Sequence, residues 1–181
     1  MGKSFQDRQV LFYIISWVLG ILFTVFKGVW IRPGVVQFID FNFLVILTAY
    51  LFLFYGSTAS CGFAVGQGVL IDIFSSGLNG LFATVYLGVF VAIYMASLFF
   101  NLEDAKGQII IVLFAVFVKN LLFVLILMLF SQHVVLSIGF LKVTGASIAI
   151  SGLIAPVLFK LLDQMKSILN TEDTRSSSET L

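Results

Sequence analysis

Two charged residues stand inside apolar runs of this 181-residue chain, and any chemistry would begin with them. Asp72 closes the run that starts at Gly62, and Lys119 lies within residues 107–130 with Asn120 beside it. A carboxylate at the end of a membrane helix is costly unless it meets water, a donor or a partner. Asp72 therefore reads either as an anchor that accepts hydrogen bonds from the following turn or from a partner, or as an interfacial carboxylate that touches water. Lys119 is deeper. The helix rise puts it ~18 Å from the start of its run, near mid-bilayer. A charge there costs about 2.5–3.5 kcal/mol on insertion scales, so the ammonium must pair, face a cavity or snorkel. The expected contacts are helix-end carbonyls, a hydroxyl such as Thr84 or Ser151, or water. Asp72 is a poor counter-ion, because it sits near a surface and Lys119 near the middle. Asn120 could bond to a neighbouring helix.

The rest of the inventory excludes most reactions. His133 is the only histidine and Cys61 the only cysteine, which is too few for a metal site with the usual ligand count. No nucleophile–base constellation, phosphate-binding loop or paired-carboxylate site appears. No catalytic residue, metal or cofactor is expected.

The elements that would hold these residues are membrane helices. Hydrophobic residues make up 60% of the chain and charged residues 10%, with a mean hydropathy of +1.13. A soluble domain carries about 25% charged residues, so the solvent for this much apolar surface is the bilayer. A net charge of +1 without a basic cluster argues against nucleic acid. No cleavable leader is expected. The reading is an all-α polytopic protein with six transmembrane helices, at about residues 10–30, 41–55, 58–74, 81–100, 107–130 and 145–162. Five spans is the alternative count. Residues 1–163 form one transmembrane helical domain and 164–181 a disordered cytoplasmic tail. The second span, rich in Leu, Ile and Phe, is expected to face lipid on most sides, and Gly56-Ser57 to be a tight turn. Lys3, Arg8, Lys106, Lys160, Lys166 and Arg175 fall on one side, and Lys27, Arg32 and Lys142 on the other. The positive-inside rule then places both termini in the cytoplasm.

Small residues recur every four positions in three of these helices: Ser60, Ala64 and Gly68 together with Gly62 and Gly66, then Gly88, Ala92 and Ala96, then Ser147, Ser151 and Ala155. Such stripes let helix backbones approach closely, and they read as internal packing faces more readily than as partner faces. Pro156 should kink the last helix. Residues 75–80, Ser-Ser-Gly-Leu-Asn-Gly, form a turn in which Gly77 and Gly80 should adopt conformations costly to other residues.

The stretch from Gly68 through Asp72, Ser75, Ser76 and Gly77 to Gly80 resembles the rod shape-determining MreD family: glycine, apolar pair, Asp, apolar pair, Ser-Gly, then Gly. The lead-in Arg32-Pro33, the apolar second span and the end from Leu153 through Pro156 to Lys160 fit as well. In the fifth span, where the family often carries a glutamate, this chain has Lys119-Asn120-Leu121-Leu122. The resemblance implies a fold similar to the substrate-binding S components of energy-coupling-factor vitamin transporters. It also implies a non-enzymatic membrane scaffold of the bacterial cell-elongation machinery, in the inner membrane and active in cell shape and peptidoglycan synthesis. Its implied partners are MreC first, then MreB and the RodA glycosyltransferase with its class B penicillin-binding transpeptidase. The rival class is a vitamin-binding transporter subunit, which would need a closed pocket of convergent polar groups. A third class, a small membrane enzyme, lacks candidate residues.

Overall fold

A computed structural model describes residues 2–30, 42–75, 80–100, 104–130 and 138–176. All the regular structure among them is helical: α1 (Gly2–Trp30), α2 (Phe43–Ser75), α3 (Leu81–Ser97), α4 (Ala105–Phe130) and α5 (Ile138–Ser176).

α2 is two helices joined at Gly56. Gly56 has φ 80° and ψ −177°, outside the helical region. Ser60 Oγ donates to the Thr48 carbonyl at 2.9 Å. In an unbroken helix those two residues would stand ~18 Å apart along the axis, so the chain doubles back at Gly56. The tight turn expected at Gly56-Ser57 is this break.

The first half of α2, residues 43–55, is the centre of the molecule. None of residues 44–51 is more than 3% exposed. This corrects the expectation that the second span faces lipid. A helix apolar on every side is equally at home in lipid or wrapped in other helices, and composition does not separate the two. Each neighbour reaches this half: Phe12 of α1 packs on Tyr50, Phe90 of α3 on Phe52, Lys119 of α4 bonds Asn42, and Phe159 of α5 lies edge-on to Tyr50.

Contacts along the helices set their relative directions. α1 runs antiparallel to the first half of α2, pairing Phe12 with Tyr50 and Phe23 with Phe43. It runs parallel to the second half, with Tyr13 against Ala59 and Trp17 against Gly66. α5 runs parallel to the first half, joining it at Asn42 through Ser147 and Ser151, and at Tyr50 through Asp163.

Three helices are long and apolar enough to cross a membrane, Phe43–Phe74, Lys106–Phe130 and Thr144–Ser167, and Val10–Phe26 and Leu81–Ser97 are shorter apolar helices. The outer surface carries many large apolar side chains: α4 exposes Phe114, Phe117, Leu121, Leu125 and Leu129. These are the features of a helical membrane protein, in which lipid covers what water could not.

Several boundaries differ from the sequence reading, beginning with α1, whose helix starts at Gly2 and not at residue 10. α3 ends at Ser97, short of Phe100. α5 begins at Ile138 and continues through Ser176, so helix extends well beyond Leu162 into the stretch read as a tail. Pro156 sits inside α5, and the helix continues on both sides of it.

Candidate functional site

Asp72 and Gly68 lie one turn apart on the second half of α2 and meet the first turn of α3. Asp72 Oδ1 accepts from the Phe82 N–H and Oδ2 from the Ala83 N–H, both at 2.9 Å. The first amides of a helix have no partner within it, and α3 has Gly80 at its N-cap, which offers no side-chain acceptor. Asp72 supplies the missing cap from the preceding helix. Its negative charge also faces the positive end of the α3 dipole. Gly68 permits this approach. A Cβ on Gly68 would stand 2.6 Å from the Ala83 Cα and 2.7 Å from the Phe82 carbonyl oxygen, and neither backbone atom can yield as a flexible side chain can.

Gly80 has φ 91°, in the left-handed region. Gly77, like Asn79 and His133, lies outside the described residues.

Lys119 gathers a second polar cluster on three helices. Its Nζ donates to Asn42 Oδ1, and it is only 9% exposed. Asn42 Nδ2 donates to Ser147 Oγ at 3.0 Å and to Ser151 Oγ at 3.1 Å. Asn42 thus turns its acceptor to α4 and its donors to α5, while its carbonyl accepts from the Val45 and Ile46 amides at the start of α2. No ion pair joins Asp72 and Lys119; each is committed elsewhere. Ser151 belongs to the Lys119 cluster through Asn42. Thr84 does not, since its hydroxyl donates to the Gly80 carbonyl at an exposed position. Asn120, next to Lys119, carries a buried Nδ2 without a partner among the described residues.

Asn42 is the residue that sequence reasoning missed. It stands immediately before an apolar run, where asparagine reads as a helix start. Only the packing of α4 and α5 against that end turns the side chain into a hub. A third joint lies at the other end of the same half-helix: Tyr50 Oη donates to Asp163 Oδ1 at 3.0 Å, and Lys166 Nζ stands 3.9 Å above the centre of the Phe54 ring.

The small-residue stripes face other helices within the bundle. Gly62 approaches the Tyr13 hydroxyl and Gly66 the Trp17 ring; Gly88 receives Leu122 of α4, and Gly152 receives Leu113. Ala92, Ala96, Ser147, Ser151 and Ala155 are all buried.

Chemically, the arrangement joins helices. Its carboxylates and amides are directed at backbone amides, hydroxyls and one ammonium. Among the described residues no group of three or more His, Cys, Asp or Glu could hold a metal ion. No family model, curated protein or solved structure matches the chain.

Proposed function

We propose that the chain is a non-enzymatic membrane scaffold, similar to MreD, of the bacterial cell-elongation complex. It crosses the inner membrane six times with both termini in the cytoplasm and binds MreC, and through MreC it communicates with MreB and with RodA and its transpeptidase. The observation that carries this reading is the use of the Gly68–Asp72 segment, the most specific stretch of the resemblance. In this chain Gly68 admits α3 and Asp72 caps it. A segment that locks one membrane helix onto the next is what a rigid platform needs, and it leaves no carboxylate there for catalysis. The Asn42, Lys119, Ser147 and Ser151 cluster supports the same reading by joining α2, α4 and α5. Doubling back at Gly56 is what lets α2 account for two of the six spans.

The test is affinity capture of the tagged protein in mild detergent, followed by identification of what accompanies it. A bitopic MreC-like protein and elongation enzymes are the expected companions. A vitamin retained at about one per chain, together with a transporter's ATPase module, would replace this reading with the vitamin-binding one.

A further inference from the structure

We propose that the seam between α4 and α5 binds an anionic phospholipid with two phosphates in its headgroup, held by Lys106 and Lys160.

Helix register brings the two lysines together. Leu113 of α4 seats against Gly152 of α5, and Asn42 links Lys119 to Ser147 and Ser151. Stepping back along α4 from Lys119 to Leu113 moves the partner forward along α5, so the two helices are antiparallel. Seven residues further back on α4 stands Lys106, and eight further on in α5 stands Lys160. Those steps cover roughly 10 and 12 Å in the same direction, so the two side chains leave their helices at nearly one depth. Their faces agree as well. Lys106 is one heptad from Leu113, and hence on the face of α4 that meets α5. On α5, Gly152 and Lys160 lie on the same side of the buried Ala155, at about 60° and 140° round the helix. Both lysines are exposed. Packed helix axes stand about 8–10 Å apart, a distance over which two lysine stems can converge on one headgroup.

The charges there are uncommitted. Among the described residues neither ammonium has a hydrogen bond or an ion pair. Asp163, one turn beyond Lys160, accepts from the Tyr50 hydroxyl, and Lys166 lies over the Phe54 ring. Asp104 is two residues from Lys106, a spacing at which side chains on a helix do not face each other.

The surroundings suit a lipid. Lys106 opens the apolar span Lys106–Phe130, so this is the level at which hydrocarbon gives way to headgroups. Toward the bilayer centre the seam is flanked by exposed Ile110 and Phe117 of α4 and Leu153 and Val157 of α5, which offer acyl chains an apolar bed beside the two ammoniums. Basic sites between helices on the cytoplasmic side bind such headgroups, and the proposed topology puts this end in the cytoplasm. Two cations on separate helices match two phosphates, whereas a zwitterionic headgroup brings a cation of its own.

The experiment is native mass spectrometry of the full chain, released from detergent micelles titrated with cardiolipin, phosphatidylglycerol or phosphatidylcholine. Wild type should take one cardiolipin per chain, about fivefold more tightly than phosphatidylglycerol, and no phosphatidylcholine. Lys106→Gln and Lys160→Gln should each weaken cardiolipin binding about fivefold, and the double variant roughly 25-fold. Lys142→Gln, an exposed lysine near the other end of α5, should bind like wild type. Lys106→Arg and Lys160→Arg keep the charge and should keep the lipid, which separates a lost contact from a damaged fold. Cardiolipin bound by the double variant as by wild type would overturn the proposal. So would phosphatidylglycerol held as tightly as cardiolipin, or an equal loss in Lys142→Gln.

Discussion

Asp72 serves a helix other than its own. Its two oxygens take the Phe82 and Ala83 amides, and among the described residues no other side chain caps α3. Asp72→Ala orphans both amides and removes the charge opposite the helix dipole, so a loss of roughly 1–3 kcal/mol is expected. Asp72→Asn should fail almost as badly, because one of its two positions becomes a donor facing an N–H. Thermal unfolding of both variants in one detergent measures this, and an Asn variant as stable as wild type would show that the contact matters little. Gly68→Ala should cost more than Gly62→Ala. The added methyl of the first meets backbone at 2.6 Å, whereas that of the second meets the Tyr13 hydroxyl at an ordinary 3.7 Å. The same measurement compares them, and equal stabilities would contradict the close approach. At this scale the sequence was partly legible. An Asp ending an apolar run announces a need for donors, but not that the donors are the amides of the next helix across a turn. Lys119 announces a need for an acceptor, but Asn42 lies 77 positions away and only the fold brings it near.

The helices themselves were largely legible, because runs of apolar residues bounded by glycine, proline and charge are what membrane helices require. Their environments were not. The first half of α2 has the composition of a lipid-facing helix and the position of a core helix. Hydropathy measures transfer out of water, and lipid and protein interior are alike in that respect. The far end of α5 misleads in the opposite direction: a polar stretch reads as tail by composition, yet its backbone is helical through Ser176. Gly56 is the joint that makes α2 a hairpin. Its backbone, φ 80° and ψ −177°, lies in a region open almost only to glycine. A Cβ there would meet nothing within 4 Å, so any cost of Gly56→Ala comes from the backbone alone, about 1–3 kcal/mol. Gly80→Val, at φ 91°, should likewise lower the amount of folded protein in the membrane. Membrane yields and melting temperatures equal to wild type for these two variants would show the joints to be unconstrained.

For the whole molecule, the proposed six crossings place Met1 and Leu181 on the cytoplasmic side. Cysteine labelling at those two positions in a Cys61→Ser background tests this, since Cys61 is the one native thiol. Neither terminus should react with an impermeant reagent applied from outside. Contact of α1 with both halves of α2, antiparallel to one and parallel to the other, is what three successive crossings by these segments require.

On the proposed reading the Asn42–Lys119 cluster holds helices together and does not wait for a ligand, and Lys119 is the sharpest case. It is a buried cation bonded to Asn42, which in turn holds both serines of α5. Lys119→Met keeps the length and loses the donor. The deciding measurement is the melting temperature of Lys119→Met and Lys119→Arg beside wild type in one detergent, read together with partner capture. A structural role requires both readouts to fall together in the Met variant, by roughly 1–3 kcal/mol in stability, with the Arg variant between Met and wild type. A Met variant that melts at or above wild type would contradict the account: with capture intact it would mean that Lys119 joins nothing, and with capture lost that the cation is held for a bound group.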